Sequence, residues 1–213
     1  MKQFAILAAV AALGLAAWRL NSPEPQALVH VLYQSQSFQE MARGANAVLS
    51  GQVMAVSPTR WNQDSGEFWD RELPGGQTEA AQPYYEITLR VDDPIVDTTA
   101  QGIAAGRDVV LTVVGMNPEE EHAIAAGIGV TTGDHGPEGL EVGQRAVIFA
   151  QKTAMTWREG TKPILQLMGH PEQAYFRPVA GGNFESHAEG APSGSLTELK
   201  AQVLALRTGQ ATE

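Results

Sequence analysis

Alternating apolar and polar positions predict a mainly β chain after residue 36. The predicted strands cover residues 47–56, 84–91, 109–114, 146–151 and 164–168. In the second strand, Tyr85 and Ile87 alternate with Glu86 and Thr88, a pattern typical of a strand with one buried face. Gly51 interrupts the first strand, where a glycine indicates a bulge or a sharp bend.

Two capping boxes and one asparagine mark the helix starts. Ser37 with Glu40 predicts a short helix before the first strand, and Ser195 with Glu198 predicts a C-terminal helix over residues 195–208. The second helix carries one apolar stripe, formed by Leu196, Leu199, Val203 and Leu206. Asn117, followed by a proline and three glutamates, predicts another short helix between the third and fourth strands.

Five strands with a helix between the third and the fourth have the order of an OB-like Greek-key barrel. A β-sandwich of similar strand count is the alternative.

The barrel domain is predicted over residues 37–180, followed by a polar linker over 181–194. Residues 155–163 are expected to form a hairpin loop between the last two strands. Residues 57–83 form a long connection after the first strand, and connections of that length are usually functional or disordered.

The N-terminus predicts export from the cytoplasm. Residues 4–18 are apolar and uncharged, which is shorter than the roughly 20 residues of a bilayer-spanning helix and typical of a signal peptide. Residues 1–18 are therefore a signal peptide or a short membrane anchor, and residues 19–36 a polar tether. Either interpretation predicts an extracytoplasmic protein, which is periplasmic, at the cell surface or secreted. If the segment is an anchor, residues 4–18 hold the protein in the membrane.

Composition restricts the fold and the partners. The 213 residues suffice for one domain after the signal, and the absence of cysteine means that an exported domain must fold without disulfides. The chain carries 24 acidic and 14 basic residues, a net charge of −10. Such a surface repels nucleic acid and anionic lipid, so we predict no nucleic-acid partner.

The tryptophans predict a binding surface. Trp61 and Trp69 lie in the 57–83 connection, and Trp157 precedes Arg158 in the 155–163 connection. On an OB-like barrel these two connections flank the ligand face. Exposed aromatic rings beside cations could stack on a sugar, a peptide side chain or a base; the cations in these segments and their surroundings are Arg60, Arg71, Arg158 and Lys162. Alternatively, the tryptophans fold back over the barrel and complete its core.

The residues that could carry chemistry form no recognised catalytic or cofactor motif. Glutamates 119–121 and His122 are adjacent on the predicted helix and point in different directions, so we interpret them as a solvated helix start. Asp134, His135 and Glu138 could ligate a divalent ion, but their spacing matches no established site and a polar turn is the simpler interpretation. We therefore predict no catalytic residue, no metal and no cofactor.

The order of the sequence blocks over residues 37–56, 85–91, 140–149 and 195–203 resembles a group of uncharacterised exported bacterial proteins. The resemblance implies a compact barrel similar to the netrin-like and metalloprotease-inhibitor-like relatives of the OB-fold. It implies no activity. Those inhibitors reach a protease metal through an N-terminal cysteine, which this chain lacks, so their mechanism does not carry over.

The sequence thus predicts a non-enzymatic extracytoplasmic binding module for a protein, peptide or glycan. One alternative is a metal-assisted hydrolase using Asp134 and His135, with His122 as a further candidate. The other is a structural envelope protein that packs through its C-terminal helix and leaves the apolar stripe of that helix exposed in the monomer.

Overall fold

The computed structural model describes residues 35–73, 77–120, 139–170 and 172–209. The signal or anchor, most of the 19–36 tether, and the candidate hydrolase residues His122, Asp134 and His135 lie outside the described residues.

The described chain is mainly β with few short helices and a C-terminal helix, which confirms the predicted class. Helix α1 covers Phe38–Gly44 and α2 covers Leu196–Thr208, and both begin with the predicted capping boxes. The strands are β1 (Ala47–Val56), β2 (Arg60–Trp61), β3 (Asp70–Leu73), β4 (Gln77–Ala80), β5 (Pro83–Asp97), β6 (Asp108–Val114), β7 (Arg145–Trp157), β8 (Gly160–Leu167), β9 (Tyr175–Pro178) and β10 (Phe184–Glu185). Residues 118–120 are also helical, and the side-chain oxygen of Asn117 accepts from the backbone N–H of Glu119 at 3.1 Å, as the predicted cap requires.

The main sheet has the strand order β1-β5-β6-β8-β7-β9-β10, and β1 also pairs with β7. Most neighbours are antiparallel, but β6 and β8 are parallel and share one register pair, Thr112 with Gln166. Strand β2 extends the sheet at one end of β5, and β3 and β4 form a separate hairpin.

Gly51 lies at an irregularity of β1, as predicted. The register with β5 shifts between Ser50 and Gly51, and a Cβ on Gly51 would lie 2.2 Å from the carbonyl oxygen of Arg90. Because only glycine tolerates this approach, β1 can pair with β5 on one side while residues 47–52 pair with β7 on the other.

One hydrophobic core joins the sheet to both helices. Tyr85, Ile87 and Leu89 point from β5 into it, and Leu199 and Val203 of α2 are buried in the same cluster. The apolar stripe of α2 is therefore covered within this chain. The envelope-protein hypothesis expected that stripe to be exposed in the monomer, and this expectation is wrong.

Three segment predictions need correction. Residues 155–163 are not a hairpin loop: β7 and β8 continue through them, with Trp157 paired to Gly160 across a tight turn. The 57–83 connection contains β2, β3 and β4. The 181–194 segment contains β10 and buries Phe184 and Ala188 in the core, so it is not a free linker. None of the helices within the described stretches has the length and apolar character needed to span a bilayer.

Candidate functional site

A second apolar cluster lies outside the main core, on the outer face of the sheet. Trp69, Ala81, Tyr84 and Met155 are buried, yet none of them belongs to the core that joins sheet and helices. Tyr84 precedes the inward-pointing Tyr85, and successive residues of a strand face opposite sides. The 57–83 segment therefore folds over the outer face and buries that part of the sheet.

Asn62 fastens this segment to the β7–β8 turn. Its side-chain nitrogen donates to the carbonyl of Thr156 at 2.9 Å, and its side-chain oxygen accepts from the N–H of Gln82 at 2.7 Å. Its own carbonyl accepts from the N–H of Arg158 at 2.8 Å. The bond to Thr156 joins positions 94 residues apart in the chain, and with the bond to Arg158 it brings the predicted tryptophan segments together.

The start of the segment is held by the helix after β6. Asn117 donates from its side-chain nitrogen to the carbonyl of Ser57 at 2.9 Å, and a side-chain oxygen of Glu120 accepts from the N–H of Thr59 at 2.5 Å. The sequence interpretation of Glu120 as part of a solvated helix start therefore missed this anchoring role.

The aromatic cluster, defined as Trp61, Phe68, Trp69, Tyr84 and Trp157, combines covered and exposed rings. Trp61 is half-buried and meets Phe68 edge to face, with ring centres 4.9 Å apart, and Phe68 is 49% exposed. Trp69 is only 8% exposed, so the prediction of an exposed ring is wrong there. Trp157 is half-buried at the end of β7 rather than in a loop.

Two cations cover the tryptophan rings. The Arg158 guanidinium lies 5.7 Å from the centre of the Trp69 ring, and the Lys162 ammonium lies 3.9 Å from the centre of the Trp157 ring. Lys162 also pairs with Asp64. Arg158 donates to the side-chain oxygen of Gln63 at 3.0 Å and forms no ion pair with any carboxylate of the described part of the chain. The other predicted cation of this region, Arg71, pairs with Glu79 on the β3–β4 hairpin.

Three buried donors of the aromatic cluster lack an acceptor. The side-chain nitrogens of Trp69 and Trp157 and the hydroxyl of Tyr84 have no hydrogen-bond partner among the described residues. The Tyr84 and Trp157 rings are in contact, with centres 5.2 Å apart. Burial raises the pKa of the Tyr84 hydroxyl above its usual value; Arg60 opposes this shift, while Glu86 adds to it. The hydroxyl therefore stays protonated and can donate.

Sequence reasoning missed several members of this site. Phe68 and Tyr84 have no local sequence signal, because their roles depend on how the 57–83 segment folds onto the sheet. Within the described ranges, no group of three or more histidine, aspartate and glutamate side chains lies close enough together to hold a metal ion.

No protein-family model and no curated protein matches this chain.

Proposed function

We propose that this protein is a non-enzymatic binding module on a five-stranded OB-like Greek-key barrel, located outside the cytoplasm. The barrel is supported by the cycle of pairings β1-β5-β6-β8-β7-β1, since a sheet whose first and last strands pair is closed. A helix that begins at residue 118, between β6 and β7, agrees with the predicted order. The location rests on the export signal inferred from residues 1–18, with anchoring through residues 4–18 as the alternative to cleavage.

The observation that carries the binding function is the group of three buried donors that have no acceptor among the described residues. A buried polar group that lacks a partner costs roughly 1–3 kcal/mol, so it calls for a specific explanation. All three groups are donors in this cluster, since indole can only donate and Tyr84 is protonated. They are therefore suited to a ligand that brings hydrogen-bond acceptors.

The surroundings of these donors narrow the ligand class. Phe68 offers an exposed ring for stacking, and Arg158 offers a cation without a carboxylate partner among the described residues. A glycan, a peptide or a protein surface could supply both a stacking group and acceptors. The net charge of −10 disfavours a nucleic acid.

The test is the Tyr84→Phe variant of the full chain, measured for thermal stability and for binding of labelled protein to glycan and peptide arrays. Removing an unpartnered buried hydroxyl should leave the melting temperature unchanged or raise it, because its desolvation cost is removed. The same change should weaken binding of at least one glycan or peptide ligand that the wild type binds on the arrays.

Tyr85→Phe is the matched control, since Tyr85 lies on the opposite face of the same strand, in the main core. We expect this variant to retain array binding. If Tyr84→Phe lowers the melting temperature and keeps every array ligand, the hydroxyl has a structural partner and the proposed site is wrong.

A further inference from the structure

The parallel contact between β6 and β8 is the weakest pairing in the closed cycle of strands. The two strands share one register pair, Thr112 with Gln166, whereas β7 and β8 share eight. N-terminal to Thr112 and Gln166 the strands have no further pair in register. We call this opening, between Asp108–Val110 of β6 and Pro163–Leu165 of β8, the seam.

A groove of about 380 Å³ lies over the seam. Residues 108–110 and Thr112 line one wall, and residues 163–165 line the other. Glu86, Arg107 and residues 101–103 of the connection between β5 and β6 also border the groove. The Val110 side chain is 50% exposed there, although it belongs to a central strand of the sheet. The volume lies within the range of ligand-binding clefts.

The hydrogen-bond alternation shows which backbone groups face the seam. The N–H of Glu86 donates to the Ser57 hydroxyl at 2.9 Å, and the carbonyl of Glu86 accepts from the Ser57 N–H at 2.8 Å, so both point away from β6. Glu86 is paired with Thr112, and antiparallel pairs alternate between bonded and non-bonded. The N–H and carbonyl of Thr112, and of Val110 two residues before it, therefore face β8.

At Thr112 these groups meet β8, but at Val110 no strand of the described chain follows in register. Pro163 on the opposite wall has no N–H, and proline is a common means of preventing pairing at a strand edge. The seam therefore leaves β6 as an edge that a further strand can join.

We propose that an extended peptide segment of a partner protein binds in the seam by adding as a strand along β6. The Val110 N–H and carbonyl would bond to the peptide backbone, as in other cases of strand addition. Glu86, which is paired with Thr112, and Arg107, which precedes β6, border the groove about five residues or roughly 17 Å apart along the direction of β6. A peptide with a basic residue near one end and an acidic residue near the other complements this arrangement.

The seam site goes beyond the proposed function, because β6 and β8 at the seam contribute no residue to the aromatic cluster. Either site can therefore fail alone. The two can be separated with Tyr84→Phe, which should not affect peptide binding at the seam.

In the test, a phage-displayed library of random ten-residue peptides is selected for binding to the full chain. The affinity of each selected peptide is then measured by fluorescence anisotropy. We expect alternating β-branched residues among the selected peptides. Val110→Pro, which removes the N–H, should weaken their binding at least tenfold, and Val110→Thr, which keeps it, should change binding by less than about twofold. N-methylation of alternate peptide amides should weaken binding to a similar degree.

Amide hydrogen exchange tests the seam without depending on how Val110→Pro folds. The Val110 amide should exchange much faster than that of Leu111 in the free protein, and slow at least tenfold when a selected peptide is present. The proposal is overturned if no peptide is selected, or if the Val110 amide of the free protein is as protected from exchange as that of Leu111. It is also overturned if N-methylation of the peptide leaves its affinity unchanged. Loss of peptide binding in Tyr84→Phe would instead place the peptide at the aromatic cluster and also overturn the seam site.

Discussion

Replacing Gly51 with alanine tests the close approach on which the β1–β5 pairing depends. The added Cβ would lie 2.2 Å from the carbonyl oxygen of Arg90, and 3.0 Å from both the carbonyl carbon of Arg90 and Cγ of Leu89. Carbon atoms in proteins prefer separations of about 3.5–4.0 Å. The strands must therefore separate by about 1 Å or more, and the nearest atom belongs to the backbone, which cannot rotate away.

The expected cost follows from this geometry. Forcing an extra methyl group into a well-packed region typically costs about 1–3 kcal/mol. Since β1 pairs with both β5 and β7 around Gly51, a shift on one side disturbs the other. We therefore expect Gly51→Ala to lower the free energy of unfolding by about 3 kcal/mol.

Urea unfolding, followed by circular dichroism, measures this change. With an m-value of about 2 kcal/mol/M, the unfolding midpoint should fall by roughly 1.5 M. Gly44→Ala is the matched control. Gly44 is the last residue of α1, and its added Cβ would meet only the flexible end of the Met168 side chain, at 3.5 Å. An alanine there should raise stability by about 0.5–1 kcal/mol. If Gly51→Ala unfolds at the wild-type midpoint, the close approach does not exist.

Two further predictions concern loops that side chains fasten. Asp97 accepts hydrogen bonds from the N–H and hydroxyl of Thr99, at 2.9 and 2.6 Å, and from the N–H of Ile103 at 2.8 Å. Burial would raise the pKa of Asp97, but these hydrogen bonds outweigh it and lower the pKa below the usual value. The stabilisation is thus present above the unfolded-state pKa of about 4 and is lost as pH falls through the lower folded-state value. The stability gap between wild type and Asp97→Asn should therefore shrink below about pH 4 in urea titrations, and a constant gap would contradict the ionic role. Asn62 is buried, and Asn62→Ala removes its part-buried hydrogen bonds to the carbonyl of Thr156 and the N–H of Gln82, so it should cost about 2 kcal/mol and speed proteolysis within residues 57–73. Unchanged proteolysis would mean that Asn62 does not hold the segment in place.

Local signals predicted the features that depend on neighbouring residues. Both capping boxes involve residues three positions apart, and both form as expected. Gly51 was identified as an irregularity from its position within an apolar alternation. The face of β5 that enters the core was also correct, because alternation depends on the strand alone.

The features that could not be predicted from the sequence depend on contacts between residues far apart in the chain. The 57–83 segment carries no strong strand pattern, and its arrangement depends on Asn62 bonding to Thr156, far along the chain. The sequence predicts a hairpin loop over residues 155–163, which includes Trp157, whereas the β7–β8 ladder continues to the pair Trp157 with Gly160. Phe68 and Tyr84 could be assigned to the site only once that segment was in place.

The outer face of β5 explains why binding is proposed there rather than in the core. On its inner side β5 supplies Tyr85, Ile87 and Leu89 to the core, where their side chains are buried together with residues of the other strands and both helices. On its outer side, the aromatic cluster contains three buried donors without acceptors among the described residues, and the described part of the chain places no strand in register with β6 along the seam. Glu86 lies between the two regions, 4.0 Å from Arg60 of the 57–83 segment and bordering the groove. Of the four buried side-chain atoms without a hydrogen-bond partner in the described part of the chain, one is the side-chain oxygen of Gln36 and three lie in the aromatic cluster on this outer face. These three are the groups that the proposed ligand would match.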